Sequence, residues 1–441
     1  MERCKRAAAL LALLLLPALF PAGLAAQSAG LLPGVPPDMQ PDSSTLEPSE
    51  AAGRLALLSE PLADADFLRA ALELSGVGGR ELEEALARVR ALSAEAAGLR
   101  ALPVRERAEG LLELLHRRVF RQYDERQTRL QVVLGAGRFN CVSSAVLYGL
   151  LARSLGLEFR ALQTSDHAFI RVTAGAAGAG GAEGWDVETT NPYGFDPGSR
   201  REFTDSFGRV TGYSYVPPGQ YSRRRELGDK GLLALILYNR NAEDTEAGRY
   251  LEALQPAVDA HALRGDPESA ERLLLSSLNV ASFYGQAGRY EEGVGFLGQA
   301  ELRLADPRLI RVREDLLHNW AVSLIQAGRL EEARELIDAH RGQLPEREWR
   351  SLGVSIWQLR AAEASRRDYG EAAALLSKAL ESLGPDPGLA SGYEVYVHNH
   401  MAALVNSGRL EEAREVLREG LRVLPSSSLL REDESRLKAR R

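Results

Sequence analysis

The chain has 441 residues, of which 45% are hydrophobic and 26% are charged, and its formal net charge is −7. This composition is typical of a soluble globular protein and excludes a fibrous or wholly disordered chain, while the length favours two or more domains. Acidic and basic residues are interspersed without a lysine and arginine block, so a nucleic-acid partner is not expected.

The N-terminus has the features of a secretory signal. Basic Arg3, Lys5 and Arg6 precede an apolar run over residues 7–20, and small residues follow that run. An uncleaved anchor is the alternative interpretation, but the run is shorter than the roughly 20 residues that a membrane span needs. We therefore expect residues 1–26 to be removed, leaving an exported protein, periplasmic or secreted, without a transmembrane segment.

Three stretches lead from the signal to the segment that carries chemistry. Residues 27–50 are rich in Pro, Ser and acidic residues without apolar periodicity, which predicts a disordered linker. Residues 51–104 have apolar residues at helical spacing, which predicts a helical N-terminal region. Another amphipathic run, from Arg105 to Phe120, also predicts a helix. We interpret these helices as support for the segment that follows.

Cleavage of the signal leaves a single cysteine in the mature chain. Cys4 lies within the signal, so Cys141 remains and cannot form an internal disulfide. Apolar spacing after Cys141 predicts a helix that begins at this residue, and a helix N-terminus favours the thiolate form of a cysteine. A buried, unreactive cysteine is the alternative. The helix start and a downstream histidine and acid favour a reactive thiol.

Two strands and a glycine-rich turn follow the cysteine helix. Residues 157–162 predict one strand, and the alternation over residues 167–172 predicts a second. The glycine-rich residues 173–182 lack the Lys-Ser/Thr pair of a phosphate loop, so we interpret them as a mobile hairpin turn. A strand with acidic residues follows. His167 is therefore expected near a carboxylate on the neighbouring strand.

Asp186 and Glu188 are the two candidates for that carboxylate. They are two residues apart on a strand and share one face, so periodicity alone does not separate them. If the strands pair symmetrically about the turn, His167 lies opposite Glu188 and Phe169 lies opposite Asp186. This register favours Glu188 as the partner of His167.

The other histidines do not predict a metal site. They lie on predicted helices or helical repeats, without ligand spacing or a nearby cysteine. These residues are His116, His261, His318, His340, His398 and His400. Neither a metal nor a cofactor is expected.

With its motifs HAFI and VETTN, the segment resembles the transglutaminase-like superfamily, whose fold is similar to the papain-like cysteine hydrolases. The resemblance implies that Cys141 is the nucleophile, His167 the base and Glu188 the orienting acid, with Asp186 as the alternative acid. It also implies an α+β catalytic domain over residues 105–222.

Acyl chemistry at Cys141 requires donors for the oxyanion. The backbone N–H of Cys141 is the natural first donor, because it lies at a helix start. For the second donor we consider Asn140, which adjoins the nucleophile, and also Gln131 and Tyr148. Asn140 is the preferred oxyanion candidate.

The C-terminal half of the chain repeats itself about every 40 residues. EAGRYLEAL, QAGRYEEGV, QAGRLEEAR, RRDYGEAAA and NSGRLEEAR begin at Glu246, Gln286, Gln326, Arg366 and Asn406. A single helical hairpin cannot bury both its faces, so stacked copies predict a superhelical array. Residues 232–431 resemble the tetratricopeptide repeat family, although the period exceeds its usual 34, and residues 232–267 are predicted to be a divergent cap.

Two functions follow from these patterns. The first is a cysteine-dependent hydrolase or acyl transferase, such as a thiol protease or amidase, that acts on amide bonds of a protein or peptide bound by the repeats. Water and an amine both remain open as the acyl acceptor. The alternative is a non-catalytic envelope scaffold whose repeats bind proteins and whose papain-like domain is degenerate.

Overall fold

The computed structural model describes most of the chain after the predicted signal. The described residues are 46–164, 167–174, 183–198, 200–211 and 224–439. The predicted signal peptide and nearly all of the predicted linker lie outside these ranges, as does most of the glycine-rich turn. The described residues belong to one compact unit, and the domain boundaries within it stay predictions.

Eighteen α-helices and six strands make up the described chain. The helices are α1 (Glu50–Ala56), α2 (Asp64–Leu74), α3 (Gly79–Ala96), α4 (Val104–Arg118), α5 (Leu130–Ala136), α6 (Cys141–Ser154), α7 (Arg201–Thr211), α8 (Asp229–Glu246), α9 (Tyr250–Arg264), α10 (Pro267–Gln286), α11 (Tyr290–Leu304), α12 (Pro307–Gln326), α13 (Leu330–Ala339), α14 (Glu346–Ala364), α15 (Tyr369–Leu383), α16 (Pro387–Asn406), α17 (Leu410–Val423) and α18 (Ser428–Lys438). The strands are β1 (Gln122–Tyr123), β2 (Arg138–Phe139), β3 (Glu158–Gln163), β4 (Ala168–Thr173), β5 (Gly184–Val187) and β6 (Arg225–Leu227).

The predicted α+β papain-like fold is wrong for this chain. Of the described residues 73% are helical, and the strands form only a parallel pair and one four-stranded sheet. The Cys141 helix α6 packs on that sheet, but it also contacts helices α2, α3, α4 and α8. Helices therefore supply most of the core around α6.

The four-stranded sheet has the order β5-β4-β3-β6 and is antiparallel throughout. Arg171 lies opposite Asp186, whereas we predicted Phe169 in that place. The last pair before the turn is Thr173 and Gly184, so the connecting loop lies one residue further along the chain than expected. The register therefore differs from the prediction by two residues, which leaves every side chain on its predicted face.

The repeats are helical hairpins, so the prediction of a helical repeat array is confirmed. Each hairpin has a first helix (α8, α10, α12, α14, α16) and a second helix (α9, α11, α13, α15, α17), and α18 closes the array. First helices of successive hairpins from α10 onward contact one another, whereas successive second helices lie farther apart. The first helices therefore line the inner surface of the array and the second helices line the outer surface.

The Gly-Arg motif forms the turn inside four of the five hairpins. Gly328 has a φ of +73°, a left-handed conformation that residues with a side chain rarely adopt. The N–H of Arg329 then donates to the carbonyl of Leu324 and closes the helix. In the fourth copy the turn that the hydrogen bond closes is one residue shorter, the N-cap is Asp368 in place of arginine, and its carboxylate accepts two N–H groups of the next helix. Both variants satisfy backbone groups at the turn.

The first hairpin is complete, although its polar residues suggested a divergent cap. Nδ2 of Asn241 donates to the Ala253 carbonyl and to Oγ of Ser276, both at 2.8 Å. Asp244 forms an ion pair with Arg249 at 2.5 Å. Buried polar side chains are tolerated here because each has a partner.

A small residue occupies the fourth position of every second helix, at positions 253, 293, 333, 372 and 413. Ala333 is fully buried, so Ala333→Leu should overpack the helix contact and lower the free energy of unfolding by about 1–3 kcal/mol. Ala339→Leu, at an exposed position of the same helix, should change it by less than about 0.5 kcal/mol. Urea unfolding of both variants tests this, and equal midpoints would contradict the close packing.

Candidate functional site

Cys141 is the first residue of helix α6 and is half-buried. Asn140 precedes it as the N-cap, and its Oδ1 accepts the N–H of Ser143 at 2.9 Å. In return, the N–H of Asn140 donates to Oγ of Ser143 at 2.9 Å, which completes a capping box. The sulfur therefore lies at a well-formed helix N-terminus, where a negative charge is stabilised.

The side chain of Asn140 holds this helix start and is not available to an oxyanion. Its Nδ2 donates to the carbonyl of Glu125 at 2.9 Å and to Oγ1 of Thr128 at 2.8 Å. The residue is only 1% exposed. Since both amide hydrogens are engaged, we correct the role of Asn140 from oxyanion donor to N-cap.

The two other oxyanion candidates differ in their surroundings. Tyr148 is fully buried and its hydroxyl donates to the carbonyl of Ala108 at 2.9 Å, which removes it from consideration. Gln131 is half-buried, and its Nε2, the atom that can donate, forms no hydrogen bond with another described residue. Gln131 therefore stays a candidate second donor beside the N–H of Cys141.

His167 connects the thiol to an acid. Nε2 of His167 lies 2.6 Å from Oε2 of Glu188, and the ring also interacts electrostatically with the side chain of Cys141. Both His167 and Glu188 are nearly buried, with side-chain exposures of 9% and 5%. Burial by itself lowers the pKa of His167, but the charges and hydrogen bonds of Glu188 and Cys141 outweigh it and hold the pKa well above 6.5. The imidazolium form is therefore favoured.

A tight turn fixes the carboxylate of Glu188. Oε1 accepts the N–H and the hydroxyl of Thr190, at 3.3 and 2.8 Å. The N–H of Glu188 donates to the carbonyl of Gly194 at 2.7 Å. A Cβ on Gly194 would lie 1.9 Å from the carbonyl oxygen of Glu188, so this approach requires glycine. The orientation of the acid thus depends on the backbone of the turn.

Asp186, the alternative acid, has other partners. Its Oδ1 lies 3.1 Å from Nη1 of Arg171 and 2.6 Å from Nη2 of Arg224. The guanidinium of Arg224 also lies over the ring of Phe169, 5.0 Å from its centroid. Because two arginines hold Asp186, Glu188 is the carboxylate bound to His167.

A second histidine supports the same turn, and no sequence pattern indicates this role. Nε2 of His116 donates to the carbonyl of Thr189 at 3.1 Å, and its ring packs edge-on against Phe120. Oγ1 of Thr189 lies 2.7 Å from Oγ of Ser144, one turn into the Cys141 helix. These bonds tie the acid segment to the helix that carries the thiol.

His116 makes stability depend on pH below neutrality. Burial lowers the pKa of His116 from 6.5 to about 4, although the bond to Thr189 and the charge of Glu188 act in the opposite direction. Because the folded pKa is below the unfolded one, the stabilisation is complete above about pH 6.5 and is lost as the pH falls through 4, by up to about 3 kcal/mol. Urea unfolding from pH 4 to 7 should show this loss. His116→Gln should lack it and a His340→Gln control should keep it, whereas equal pH dependence in both variants would contradict the assignment.

The described residues offer no sign of a metal centre or a membrane span. No group of three or more His, Cys, Asp or Glu side chains within them is placed to hold an ion. His398, one of the histidines set aside above, pairs with Asp433 at 2.5 Å. No helix in the same ranges is long and apolar enough to cross a membrane.

Comparisons with known proteins add little. No family model matches the chain, and no curated protein matches it. One solved structure with a partial likeness is the crystal structure of menin that reveals the binding site for Mixed Lineage Leukemia (MLL) protein. The alignment covers 84% of this chain and 94% of that chain, with 10% identity and a TM-score of 0.28. A score this low carries no argument about this chain.

The two family resemblances are corrected accordingly. Membership of the transglutaminase-like superfamily and of the tetratricopeptide family has no matching family model behind it, and the chain is mostly helical. A papain-like cysteine protease is therefore the wrong description. The contact between His167 and Glu188 does not depend on that resemblance, because it is a distance between two side chains of the structure.

Proposed function

We propose that this protein is a scaffold that binds an extended polypeptide along the inner surface of its helical array. A periodic row of asparagines carries this proposal. The five first helices have equivalent positions at 239, 279, 319, 359 and 399. Four of these are asparagine, and position 359 is leucine. All lie on first helices, which line the inner surface.

The amides of this row are available to a ligand. The side chains of Asn279, Asn319 and Asn399 are half-buried and form no hydrogen bond with other described residues. Leu275, four residues before Asn279 and so on the same helix face, is 50% exposed. An amide has a donor and an acceptor, which match the N–H and C=O of a peptide backbone. Amides at regular intervals therefore suit an extended chain.

A binding experiment tests the scaffold function. Full-length mature protein is immobilised, and extracellular or envelope proteins from its own source are captured and quantified. We expect the double variant Asn279→Ala, Asn319→Ala to lose a partner that the wild-type protein captures. The same partner, once purified, should bind the wild-type protein. Leu302→Ser, on an outer helix where Leu302 is 88% exposed, should retain it. Equal binding by both variants would overturn the proposal.

A second function is favoured by the thiol site: cysteine-dependent hydrolysis or acyl transfer on an amide bond. The 2.6 Å bond between His167 and Glu188, together with the electrostatic interaction of His167 with Cys141, supports it. On the basis of the N-terminal sequence we further propose that this chemistry takes place outside the cytoplasm.

The proposed reaction follows from the contacts. The Cys141 thiolate attacks the carbonyl carbon and forms a C–S bond, while the N–H of Cys141 donates to the oxyanion. The His167 imidazolium then protonates the leaving nitrogen as the C–N bond breaks. Water or an amine attacks the thioester next, gives its proton to His167 and releases Cys141. Throughout, Glu188 orients the ring.

Alkylation of the only mature thiol tests this second function. Wild-type protein should react with iodoacetamide at pH 6 faster than a free cysteine peptide does, because the thiolate persists beside imidazolium. Cys141→Ala should incorporate no label and should lose any amide-bond cleavage or amine incorporation. If the wild-type protein reacted no faster than the peptide, the proposed thiol function would be contradicted. The proposed scaffold function would be unaffected.

A further inference from the structure

We propose that Asn239, on the first helix of the repeat array, is a positioning residue for the Cys141 thiol. This inference rests on the second proposed function, the thiol chemistry. Asn239 belongs to the same periodic row as Asn279, Asn319 and Asn399, yet it alone among these four forms a hydrogen bond to another described residue. That difference points to a separate role for the first copy of the repeat.

The contacts run from Asn239 to the helix that carries the nucleophile. Nδ2 of Asn239 donates to Oγ1 of Thr128 at 2.9 Å. The same oxygen accepts Nδ2 of Asn140 at 2.8 Å, and Asn140 is the N-cap directly before Cys141. A single residue, Thr128, therefore links the repeat helix to the cap of the thiol helix through two hydrogen bonds.

The middle residue of this chain of contacts is held tightly. A hydroxyl oxygen has two lone pairs, and the amides of Asn239 and Asn140 occupy both on Thr128. Thr128 is 2% exposed and Asn140 is 1% exposed, so water does not replace a lost partner at low cost. Removal of the Asn239 amide therefore frees the Thr128 rotamer and loosens the cap that presents N–H groups toward Cys141.

Helix α8 is well placed to carry such a residue. It packs directly against the Cys141 helix, and its buried apolar residues share one core with that helix. Arg240, the residue after Asn239, donates from Nη1 to the carbonyl of Leu74 at 2.7 Å. The first helix of the array is thus a fixed wall of the thiol site, and Asn239 is the polar contact from that wall to the helix cap.

The test is the pH profile of Cys141 alkylation by iodoacetamide in the full mature chain. Asn239→Ala and Asn239→Asp, which both remove the N–H donor, should displace the profile upward by about half a pH unit and slow the reaction at pH 6.5 about threefold. Asn406→Ala removes an exposed asparagine at a distant turn and should match the wild type. Unfolding by urea confirms that each variant is folded at the start.

A double variant separates positioning from general destabilisation. Thr128→Val keeps the shape and removes the shared oxygen, so adding Asn239→Ala to it should cause no further displacement. Additive displacements, or an Asn239→Ala profile equal to that of the wild type, would overturn the inference. A wild-type thiol that reacts like a free peptide would instead remove the thiol function on which the inference rests.

Discussion

Glu188→Gln is expected to slow alkylation of Cys141 at pH 7 by about tenfold or more. The substitution keeps the size of the side chain but removes the charge that lies 2.6 Å from Nε2 of His167. The pKa of His167 should then fall, because burial opposes its charged form and Glu188 no longer offsets that effect. With less imidazolium beside it, the thiolate of Cys141 loses its main counter-charge.

Asp186→Asn is the matched control for this experiment. Asp186 lies two residues from Glu188, but its carboxylate is held by Arg171 and Arg224 instead of His167. We expect this variant to alkylate at the wild-type rate and to show only a loss of stability. If Asp186→Asn slowed the reaction and Glu188→Gln did not, the assignment of the acid would be reversed.

Gly194→Ala should remove both stability and thiol reactivity. The new Cβ would lie 1.9 Å from the carbonyl oxygen of Glu188 and 2.9 Å from that of Asn191, both of them backbone atoms. Because backbone atoms cannot rotate away, the turn must open, at an expected cost of about 3–5 kcal/mol. Thermal unfolding and the alkylation rate should fall together, since the opened turn releases the acid.

Gly98→Ala is the matched control for Gly194→Ala. A Cβ on Gly98 would meet no atom within 4 Å, and the residue lies in a short helix far along the chain from the turn. We expect unchanged alkylation and equal or slightly higher stability. A Gly194→Ala variant as stable as Gly98→Ala would show that the turn tolerates a side chain.

The positions of the candidate site residues could be predicted in part, while their catalytic roles stay predictions. The spacing predicted Cys141 at a helix start, as the structure has it, and placed His167 within a strand that begins one residue later, at Ala168. Glu188 was preferred over Asp186 on the basis of a predicted strand register, and that register differs from the observed one by two residues. The preference survived because a shift of two keeps side chains on one face, and the carboxylate reaches His167 diagonally at the strand end.

Long-range partners were beyond the sequence patterns. Nothing in the spacing of His116 indicates that it holds Thr189, 73 residues away, and nothing near Thr128 indicates its bond to Asn239. Such contacts depend on how helices pack, which hydrophobic periodicity does not specify. The helical share of the fold was also underestimated. The motifs around Cys141 indicate strands, and the helices that surround them carry no motif.

The shared core of helix α8 and the Cys141 helix makes the array a structure anchored at one end. Later hairpins form a second buried cluster and contact mainly their neighbours. Opening should therefore start at the distal helix Ser428–Lys438 and progress toward the anchored end, with amide exchange slowest in Asp229–Glu246. Proteolytic trimming from the C-terminus should shorten the proposed binding surface first and leave the proposed reactivity of Cys141 unchanged until the first hairpin, α8 and α9, is cut.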